Sequence, residues 1–495
     1  MTDLLIATSI PYVNAAPHLG HALEFVQADV LARHARAAGR AVRALTGTDD
    51  NSLKNVRAAR AAGVPTADLV AANSAAFGAL HEPLALSFDS NTHTSTDPRH
   101  RQTVTRLWRA VAAAGDLYRK TYTGLYCVGC EAFYSPAELT DGVCPEHRVP
   151  PEEVAEENWF FRLSRYADAI IATIESDALL VQPAARRNEV LSFLRGGLDD
   201  LSVSRPAGRA DGWGIPVPDD PDQVIYVWFD ALAYYLTGAD GWWRPEVRRE
   251  HVIGKGILRF HAVYWPAILL SAGLPLPDAV RVHDYLTVDG AKISKSAAPR
   301  PALAWPGSAG FSTNQLVEKQ GEARAQADPL DLLARYGGDA LRWWLTSEVP
   351  RLGDVDFTEA RLVHRHDTDL AGGLGNLVNR TAALNSRIVD HEQRRDGFAD
   401  DVLGVTGEKI NSALLEFDFR SATDAIRTAV TQGNRYVEQT RPWAADRPEK
   451  ALATLTALGT GLADQVEPFL PAGAVRLRAR LSGSANPPFR RLHGR

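Results

Sequence analysis

Short apolar runs and one long amphipathic stretch alternate at the start of the chain. Leu4 to Ser9 has the length and character of a buried strand, and from His18 to about Ala38 apolar positions recur every three or four residues, as on one helix face. Ala41 to Leu45 predicts a second strand. This order is typical of a parallel α/β sheet, whose ligands lie at the carboxyl ends of the strands. The loop from Pro11 to Pro17 is therefore a candidate site.

The α/β pattern is interrupted and then resumes. From about Leu117 the chain is rich in Tyr, Cys, Gly and Pro, which predicts an insertion, whereas Ile225 to Trp228 and His251 to Ile253 predict strands of the resumed sheet. Ala297 to Ala327 has little periodicity and predicts a long mobile loop. The pattern after that loop is almost all helical, with a break predicted at Gly372 to Gly375.

Composition and charge exclude several classes of protein. A chain of 495 residues is too long for one compact core, and no apolar run approaches the roughly 18 residues of a membrane span. The N-terminus lacks the basic region of a secretory signal, so we expect a cytoplasmic protein. The net charge of −6 predicts no global attraction to nucleic acid. Six arginines and no acid lie between Pro471 and Arg495, where we expect a solvated or frayed terminus rather than a nucleic-acid arm.

All three cysteines of the chain fall in one short segment. Cys127 and Cys130 have C-x-x-C spacing, and Cys144 and His147 have C-x-x-H spacing. Three thiolates and one imidazole in two such knuckles can close a tetrahedron around Zn²⁺ with no open position, which indicates a structural site. A disulfide would leave one cysteine unpaired and needs an oxidising compartment.

Two other segments carry residues suited to phosphate. His18 and His21 lie on one face of a predicted helix start, and Gly20 between them allows a nucleotide to approach the backbone. Far downstream, Lys292, Ser294 and Lys295 lie in a predicted loop, where the two lysines would neutralise phosphate charge. Taken singly, each pattern is more typical of ordinary surface residues.

The combination resembles class I aminoacyl-tRNA synthetases, whose signatures are HIGH and KMSKS, where this chain has HLGH at 18–21 and KISKS at 292–296. More specifically it resembles methionyl-tRNA synthetases over nearly its whole length. The supporting segments are 11–14 (PYVN), 46–49 (TGTD), the cysteine knuckles, 157–162 (ENWFFR), 226–231 (YVWFDA), 254–255 (GK), 260–261 (FH), 375–380 (GNLVNR) and 442–443 (PW).

This resemblance implies an α/β fold: a split Rossmann-type parallel sheet with an inserted connective domain that contains the zinc knuckle, and a C-terminal helical bundle. The implied domains are 1–116, the first half of the nucleotide-binding domain; 117–205, the connective domain; 206–296, the second half, ending in the KISKS loop; 297–327, an inserted mobile loop; 328–360, a stem-contact segment; and 361–495, a bundle of the anticodon-binding kind. We expect a monomer.

The resemblance also implies the reaction and its residues. The amino-acid carboxylate attacks ATP, helped by Mg²⁺, and the adenylate then acylates tRNA. By resemblance, the residues that contact the phosphates of ATP would be His18, Gly20, His21, Lys292, Ser294 and Lys295, and the two histidines and two lysines among them would be catalytic. Asp49 would hold the substrate ammonium, and the side chain of the amino acid, methionine by resemblance, would lie among Ile10, Tyr12, Trp228, Ala231, Tyr235, Ile257 and His261. Asn376, Arg380 and Trp443 would read anticodon bases.

The chain departs from the family pattern around the active site. The family usually has TGTDEHG where residues 46–52 are TGTDDNS, and GKDI where residues 254–257 are GKGI; Leu232 replaces a common proline. Two interpretations stay open. One is a methionine–tRNA ligase. The other is a tRNA-independent ligase of secondary metabolism that passes the activated amino acid to a small amine, hydroxyl or hydroxylamine. A non-catalytic RNA-binding relative is disfavoured because both histidines and both lysines are present.

Overall fold

The structure is a computed structural model that describes residues 2–129, 132–134, 138–145, 149–288, 291–292, 328–385 and 395–493. The strands are β1 (Leu4–Thr8), β2 (Val42–Thr48), β3 (Ser90–His93), β4 (Leu117–Cys127), β5 (Ala132–Tyr134), β6 (Glu152–Phe161), β7 (Leu180–Gln182), β8 (Leu201–Ser202), β9 (Ser204–Pro206), β10 (Pro216–Val217), β11 (Asp220–Ile225), β12 (Arg248–Gly254), β13 (Ala279–His283), β14 (Leu286–Val288), β15 (Ala291–Lys292) and β16 (Val355–Asp356).

The α-helices are α1 (Leu19–Ala37), α2 (Leu53–Ala62), α3 (Thr66–Gly78), α4 (Pro98–Ala113), α5 (Ala167–Glu175), α6 (Ala184–Arg195), α7 (Val227–Leu232), α8 (Tyr234–Ala239), α9 (Trp265–Ser271), α10 (Pro329–Tyr336), α11 (Gly338–Ser347), α12 (Glu359–Arg365), α13 (Gly375–Asn385), α14 (Phe398–Leu415), α15 (Phe419–Thr440), α16 (Glu449–Val466) and α17 (Pro471–Leu481). Two segments, Phe260–Tyr264 and His366–Leu374, are π-helical. No helix in the described part of the chain is long and apolar enough to span a bilayer.

The central sheet is parallel and split in sequence, as predicted. Its strand order is β3-β2-β1-β12-β13-β7, so strands from before and after the interruption lie side by side. Every residue of β1 is buried, and its side chains alternate between two cores, with Leu4 and Ile6 in one and Leu5 and Ala7 in the other. The carboxyl ends of β1, β2 and β12 meet at one edge, which is where the candidate site lies.

The interruption is more complex than one inserted unit. β4, β5, β6 and β8 form an antiparallel sheet, but β7 lies between β6 and β8 in sequence and pairs with β13 at the edge of the central sheet. The segment predicted as an insertion, 117–205, thus also contributes a strand to the main sheet. Its domain limits stay a prediction.

One predicted strand is wrong. Ile225 to Trp228 does not continue the central sheet, because β11 ends at Ile225 within a separate antiparallel sheet with β9 and β10, and α7 begins at Val227. A short apolar run does not distinguish a buried strand from a buried helix. The second predicted strand, His251 to Ile253, lies within β12.

The C-terminal third is helical, with two differences from the sequence-based picture. The glycines at 372–375 do not break the helix, since the π-helical segment leads directly into α13; a Cβ at Gly375 would lie 2.8 Å from the Leu370 carbonyl oxygen. The described part of the terminal segment, up to residue 493, is not frayed, because Phe489 and Leu492 are 6% and 7% exposed and pack into the core. The predicted mobile loop, 297–327, lies outside the described residues.

Candidate active site and anticodon-like patch

The start of α1 joins the two signature histidines. His18 is the N-cap, and its Nδ1 accepts a hydrogen bond from the Gly20 backbone N–H at 3.1 Å, while His21 Nδ1 accepts from the His18 backbone N–H at 3.0 Å. The rings stack with centroids 3.8 Å apart. A Cβ at Gly20 would lie 3.0 Å from His18 Cε1, so glycine is what permits this close approach.

These hydrogen bonds decide which nitrogen of each neutral ring carries the proton. Because each Nδ1 accepts from a backbone N–H, a neutral ring carries its proton on Nε2, which is a hydrogen-bond donor. Both rings are half-buried at the positive end of a helix that has no acidic residue in its first turn. The pair of Nε2–H groups therefore suits an anionic ligand such as phosphate.

Asp49 lies directly after β2 at the same sheet edge. Its backbone N–H donates to the Pro11 carbonyl at 2.9 Å, and it forms an isolated parallel bridge with Tyr12. The Asn55 side-chain amide donates hydrogen bonds to the backbone carbonyls of Asp49 and Asp50, at 3.1 and 2.8 Å, and so fixes this loop. Asp49 is 2% exposed, so the loop places a carboxylate in a largely buried position near Tyr12.

The predicted amino-acid pocket is an aromatic cluster. Trp228 on α7 lies edge-on to Tyr12, with ring centroids 6.1 Å apart, and also edge-on to His261, at 6.1 Å. Tyr235 on α8 lies 5.8 Å from His261. Ala231 is buried one helical turn after Trp228, and Ile10 and Ile257 pack as half-buried residues against the same core. The structure therefore brings Tyr12, Trp228, Tyr235 and His261 together.

Burial keeps the His261 and Tyr235 rings of this pocket uncharged at neutral pH. It lowers the pKa of His261 to about 4, although a hydrogen bond between His261 Nδ1 and the Ile257 carbonyl opposes the shift. It also raises the pKa of Tyr235 well above its usual value. Uncharged rings suit an uncharged, polarizable side chain.

Two pocket aromatics were missed by the sequence-based prediction. Phe260 stacks on Trp228 with centroids 3.6 Å apart and planes 9° apart, and Trp265 lies 6.0 Å from Tyr235. Phe260 lies next to His261 in the π-helical turn that precedes α9, and that proximity was the available signal.

A buried acid near the histidines was also missed. Glu24, one helical turn after His21, is 7% exposed and accepts hydrogen bonds from Ser9 Oγ at 2.6 Å. Its other oxygen lies 3.1 Å from His283 Nε2, at the end of β13. A charged residue on the buried face of an amphipathic helix was the signal that could have identified it.

A buried polar network connects the Asp49 loop to the aromatic pocket. The Asn51 amide donates to Asp230 on α7 at 2.7 Å, and the other Asp230 oxygen lies 2.6 Å from His100 Nε2. His100 Nδ1 lies 3.0 Å from Thr237 Oγ1. Asp230, His100 and Thr237 are buried. No sequence motif pointed to this network, because its members are distant in sequence.

The lysine loop and part of the predicted metal site lie outside what the structure describes. Lys292 is placed in β15 by its backbone, antiparallel to β14, while Ser294 and Lys295 lie in the segment that is not described. Cys127 and Cys144 are both buried in the inserted segment, whereas Cys130 and His147 fall outside the described residues. The described residues alone contain no group of three or more metal-binding side chains.

The predicted anticodon-like residues form one surface patch. Asn376 and Arg380 are one turn apart on α13, and the Arg380 guanidinium lies 5.7 Å from the centre of the Trp443 ring. Trp443 is 48% exposed. Arg380 also pairs with Glu438 at 2.7 Å. An exposed aromatic ring beside a guanidinium and an amide is suited to single-stranded nucleic acid.

Comparison with known proteins identifies close relatives. A profile of class I tRNA synthetases, described as tRNA synthetases class I (M), matches residues 4–153, 148–299 and 323–382. A methionine–tRNA ligase of Mycobacterium bovis is 38% identical over 470 residues, covering 91% of this chain and 84% of the relative. One from Brucella suis is 36% identical over 494 residues, covering 95% and 90%.

Solved structures of methionyl-tRNA synthetases superpose on this chain over nearly its whole length. A Mycobacterium tuberculosis methionyl-tRNA synthetase bound by methionyl-adenylate superposes with a TM-score of 0.84 at 34% identity, over 98% of this chain and 97% of that one. The apo form of the M. tuberculosis enzyme gives a TM-score of 0.78 at 31% identity, over 99% and 98%.

Proposed function

This chain belongs to the class I methionyl-tRNA synthetase family, and we propose that it is a methionine–tRNA ligase that activates methionine with ATP and transfers it to tRNA. The spatial arrangement of three features supports this proposal most directly. The histidine-bearing start of α1, the Asp49 loop and the aromatic pocket all lie at the carboxyl edge of one parallel sheet.

In the first step a methionine carboxylate oxygen attacks the α-phosphorus of ATP. A new P–O bond forms, the bond to the β-phosphate oxygen breaks, and pyrophosphate leaves. The Nε2–H groups of His18 and His21 donate to the phosphate oxygens as charge moves onto the leaving group. Lys292, Ser294 and Lys295 would supply further contacts from the KISKS loop. Mg²⁺ would enter with ATP and neutralise phosphate charge.

The pocket holds the amino acid in a fixed orientation. Asp49 binds the substrate ammonium, and the thioether lies among Tyr12, Trp228, Tyr235 and His261, with Ile10, Ala231 and Ile257 completing the wall. Neutral, polarizable rings favour sulfur contacts, and the low pKa of His261 keeps its ring uncharged at neutral pH.

In the second step the terminal ribose hydroxyl of tRNA attacks the adenylate carbonyl. The ester bond forms as the bond between the carbonyl carbon and the phosphate oxygen breaks, and AMP leaves with the hydroxyl proton on its phosphate. Asn376, Arg380 and Trp443 read anticodon bases at the patch on α13, which requires local contacts and not a positive overall charge.

The residues of the Asp49 loop that differ from the family pattern have hydrogen-bond partners in this chain. The Asp50 carboxylate accepts from the Ser95 hydroxyl at 2.8 Å and its backbone N–H at 3.2 Å. Asn51 donates to Asp230, and the Ser52 hydroxyl caps α2 by accepting from the Lys54 N–H at 3.0 Å. These substitutions therefore maintain an ordered loop, which either ligase requires. The similarity to methionine–tRNA ligases is what favours the tRNA ligase over the tRNA-independent alternative.

We also propose a structural Zn²⁺ held by Cys127, Cys130, Cys144 and His147. The two described cysteines fit this role, because Cys127, the last residue of β4, and Cys144, in the segment between β5 and β6, are both buried. The donor set is that of closed zinc knuckles. Bound zinc would stabilise the fold of the inserted segment.

Pyrophosphate exchange with each amino acid, followed by charging of total tRNA, tests the function. We expect exchange with methionine and formation of methionyl-tRNA. Exchange without charging, accompanied by transfer to a small amine or hydroxylamine, would establish the tRNA-independent ligase instead. RNA binding without any exchange would establish a non-catalytic relative.

A further inference from the structure

The basic C-terminal segment contains one arginine whose position is unlike that of its neighbours. Arg476, Arg478 and Arg480 all lie on α17. Arg476 pairs with Asp339, and Arg478 pairs with Glu467 and with Asp464, at 2.7 Å. Within the described residues, Arg480 has no carboxylate within 4.0 Å. Its Nε donates instead to the Asn379 side-chain oxygen at 2.8 Å, and its Nη1 donates to the Ser484 carbonyl at 2.5 Å.

Asn379 connects this arginine to the anticodon-like patch. It precedes Arg380 on α13 and follows Asn376 by three residues, so the three side chains lie on one side of the helix. Asn376 is exposed, and Asn379, Arg380 and Arg480 are half-buried. Arg480 therefore lies at the edge of a surface that already contains an exposed tryptophan and an exposed amide.

The charges of this surface indicate which group would meet a phosphate. Arg380 carries a positive charge, but Glu438 lies 2.7 Å from it and offsets that charge. Arg480 has two donors engaged with neutral oxygens, and a guanidinium has five N–H donors, so three remain for a ligand. An arginine held by an amide, with its charge uncompensated, is suited to a phosphate oxygen.

We propose that Arg480, oriented by Asn379, binds a backbone phosphate of the tRNA anticodon loop beside the bases read by Asn376, Arg380 and Trp443. This inference rests on the proposed function and extends its RNA surface to α17. Arg480 is a phosphate contact, so it contributes affinity and register without selecting a base.

Direct binding of an anticodon stem-loop hairpin, measured by fluorescence anisotropy over a range of KCl, tests the proposal without requiring catalysis. Arg480→Ala should weaken binding about tenfold or more, as expected for a lost charge-assisted hydrogen bond. The slope of log affinity against log salt should become shallower by about 0.7 to 0.9. Both effects should be the same for hairpins with altered anticodon bases.

The matched control is Arg478→Ala, on the same helix but paired with two carboxylates; we expect it to leave affinity and salt slope within twofold of the wild type. Asn379→Asp distinguishes a role of Arg480 in RNA binding from a purely structural role of Arg480. It would strengthen the contact with Arg480 while neutralising its charge, so it should weaken binding as Arg480→Ala does. A purely structural Arg480 would be unharmed by Asn379→Asp.

Pyrophosphate exchange should stay unchanged in all three variants, which reports that the catalytic domain is folded. Equal losses in Arg480→Ala and Arg478→Ala, or an unchanged salt slope in Arg480→Ala, would overturn the phosphate assignment. A wild-type chain that binds no hairpin would overturn it as well. If the wild type binds the hairpin and responds as expected but charges no tRNA, the phosphate contact stands and the ligase assignment fails.

Discussion

The hydrogen bond from Asn51 to Asp230 offers a precise perturbation of the active site. Asn51 lies two residues after Asp49, and Asp230 lies two residues after Trp228. The 2.7 Å bond therefore connects the loop that would bind the substrate ammonium to the helix that carries the aromatic pocket. Asn51→Ala removes this donor, together with a longer contact of the same amide to the Thr94 carbonyl at 3.4 Å.

The structure sets the size of the effect. Asp230 is 1% exposed, so water cannot readily replace the lost donor. Hydrogen bonds to charged groups contribute about 1.5–3 kcal/mol, which corresponds to a factor of roughly 10 to 150 in an equilibrium constant. Because the bond positions the loop and touches no phosphate, we expect most of this loss in KM for methionine rather than in kcat. Asn51→Asp should be worse, since it would place two carboxylates together.

Pyrophosphate exchange at varied methionine concentration, with saturating ATP, measures KM and kcat separately. Asn51→His is the matched control, because it restores the residue that the family usually has here and retains an N–H donor; we expect its KM within about threefold of the wild type. An Asn51→Ala variant with wild-type KM and wild-type thermal stability would refute the view that this bond positions the pocket.

Four further outcomes are expected. His21→Ala should lower the rate of pyrophosphate exchange by about 10²–10³, with amino-acid binding in equilibrium dialysis unchanged. Metal analysis should find one zinc per chain and much less in Cys144→Ala; a folded wild type without zinc would contradict this site. Burial lowers the pKa of His261 to about 4 from 6.5, so on acidification the ring of the unfolded chain takes up a proton before that of the folded chain. The free energy of unfolding should therefore fall as pH drops from 6.5 toward 4. In urea titrations at several pH values, His261→Gln should lack the part of this fall that is due to His261. Arg342→Met removes one of the two arginines that lie 2.8 Å from the buried Asp29 and leaves the carbonyls of Leu84, Pro468 and Phe469 without their donor, so it should reduce the free energy of unfolding by about 3–5 kcal/mol, measured by chemical denaturation.

Local patterns were sufficient for the elements near the site. The periodicity after His18 predicted α1, and the apolar run at Leu4 predicted β1, because each signal is contained in consecutive residues. The tyrosine, tryptophan and histidine positions of the pocket followed from resemblance, and the structure brings them together. The roles of the individual site residues stay predictions that the experiments above address.

Hydrophobic periodicity gave wrong predictions of secondary structure where a segment is buried on all sides, because such a segment has no polar face. The run at Ile225 to Trp228 is apolar throughout, so nothing local distinguished the end of β11 from the start of α7. The glycines near Gly372 resembled a helix break, yet they permit a π-helical turn in which the Leu370 carbonyl oxygen excludes a Cβ at Gly375.

The amino-acid order alone was enough to predict the parallel sheet and the family, since those signals depend on spacing within short segments. The cysteine knuckles stay a prediction from the same kind of signal. Folding was needed to join Asn51 to Asp230, Glu24 to His283, and Arg480 to Asn379. Each of these pairs is separated by about a hundred residues or more, and a hydrogen bond between distant segments depends on packing in three dimensions, which leaves no periodic trace along the chain.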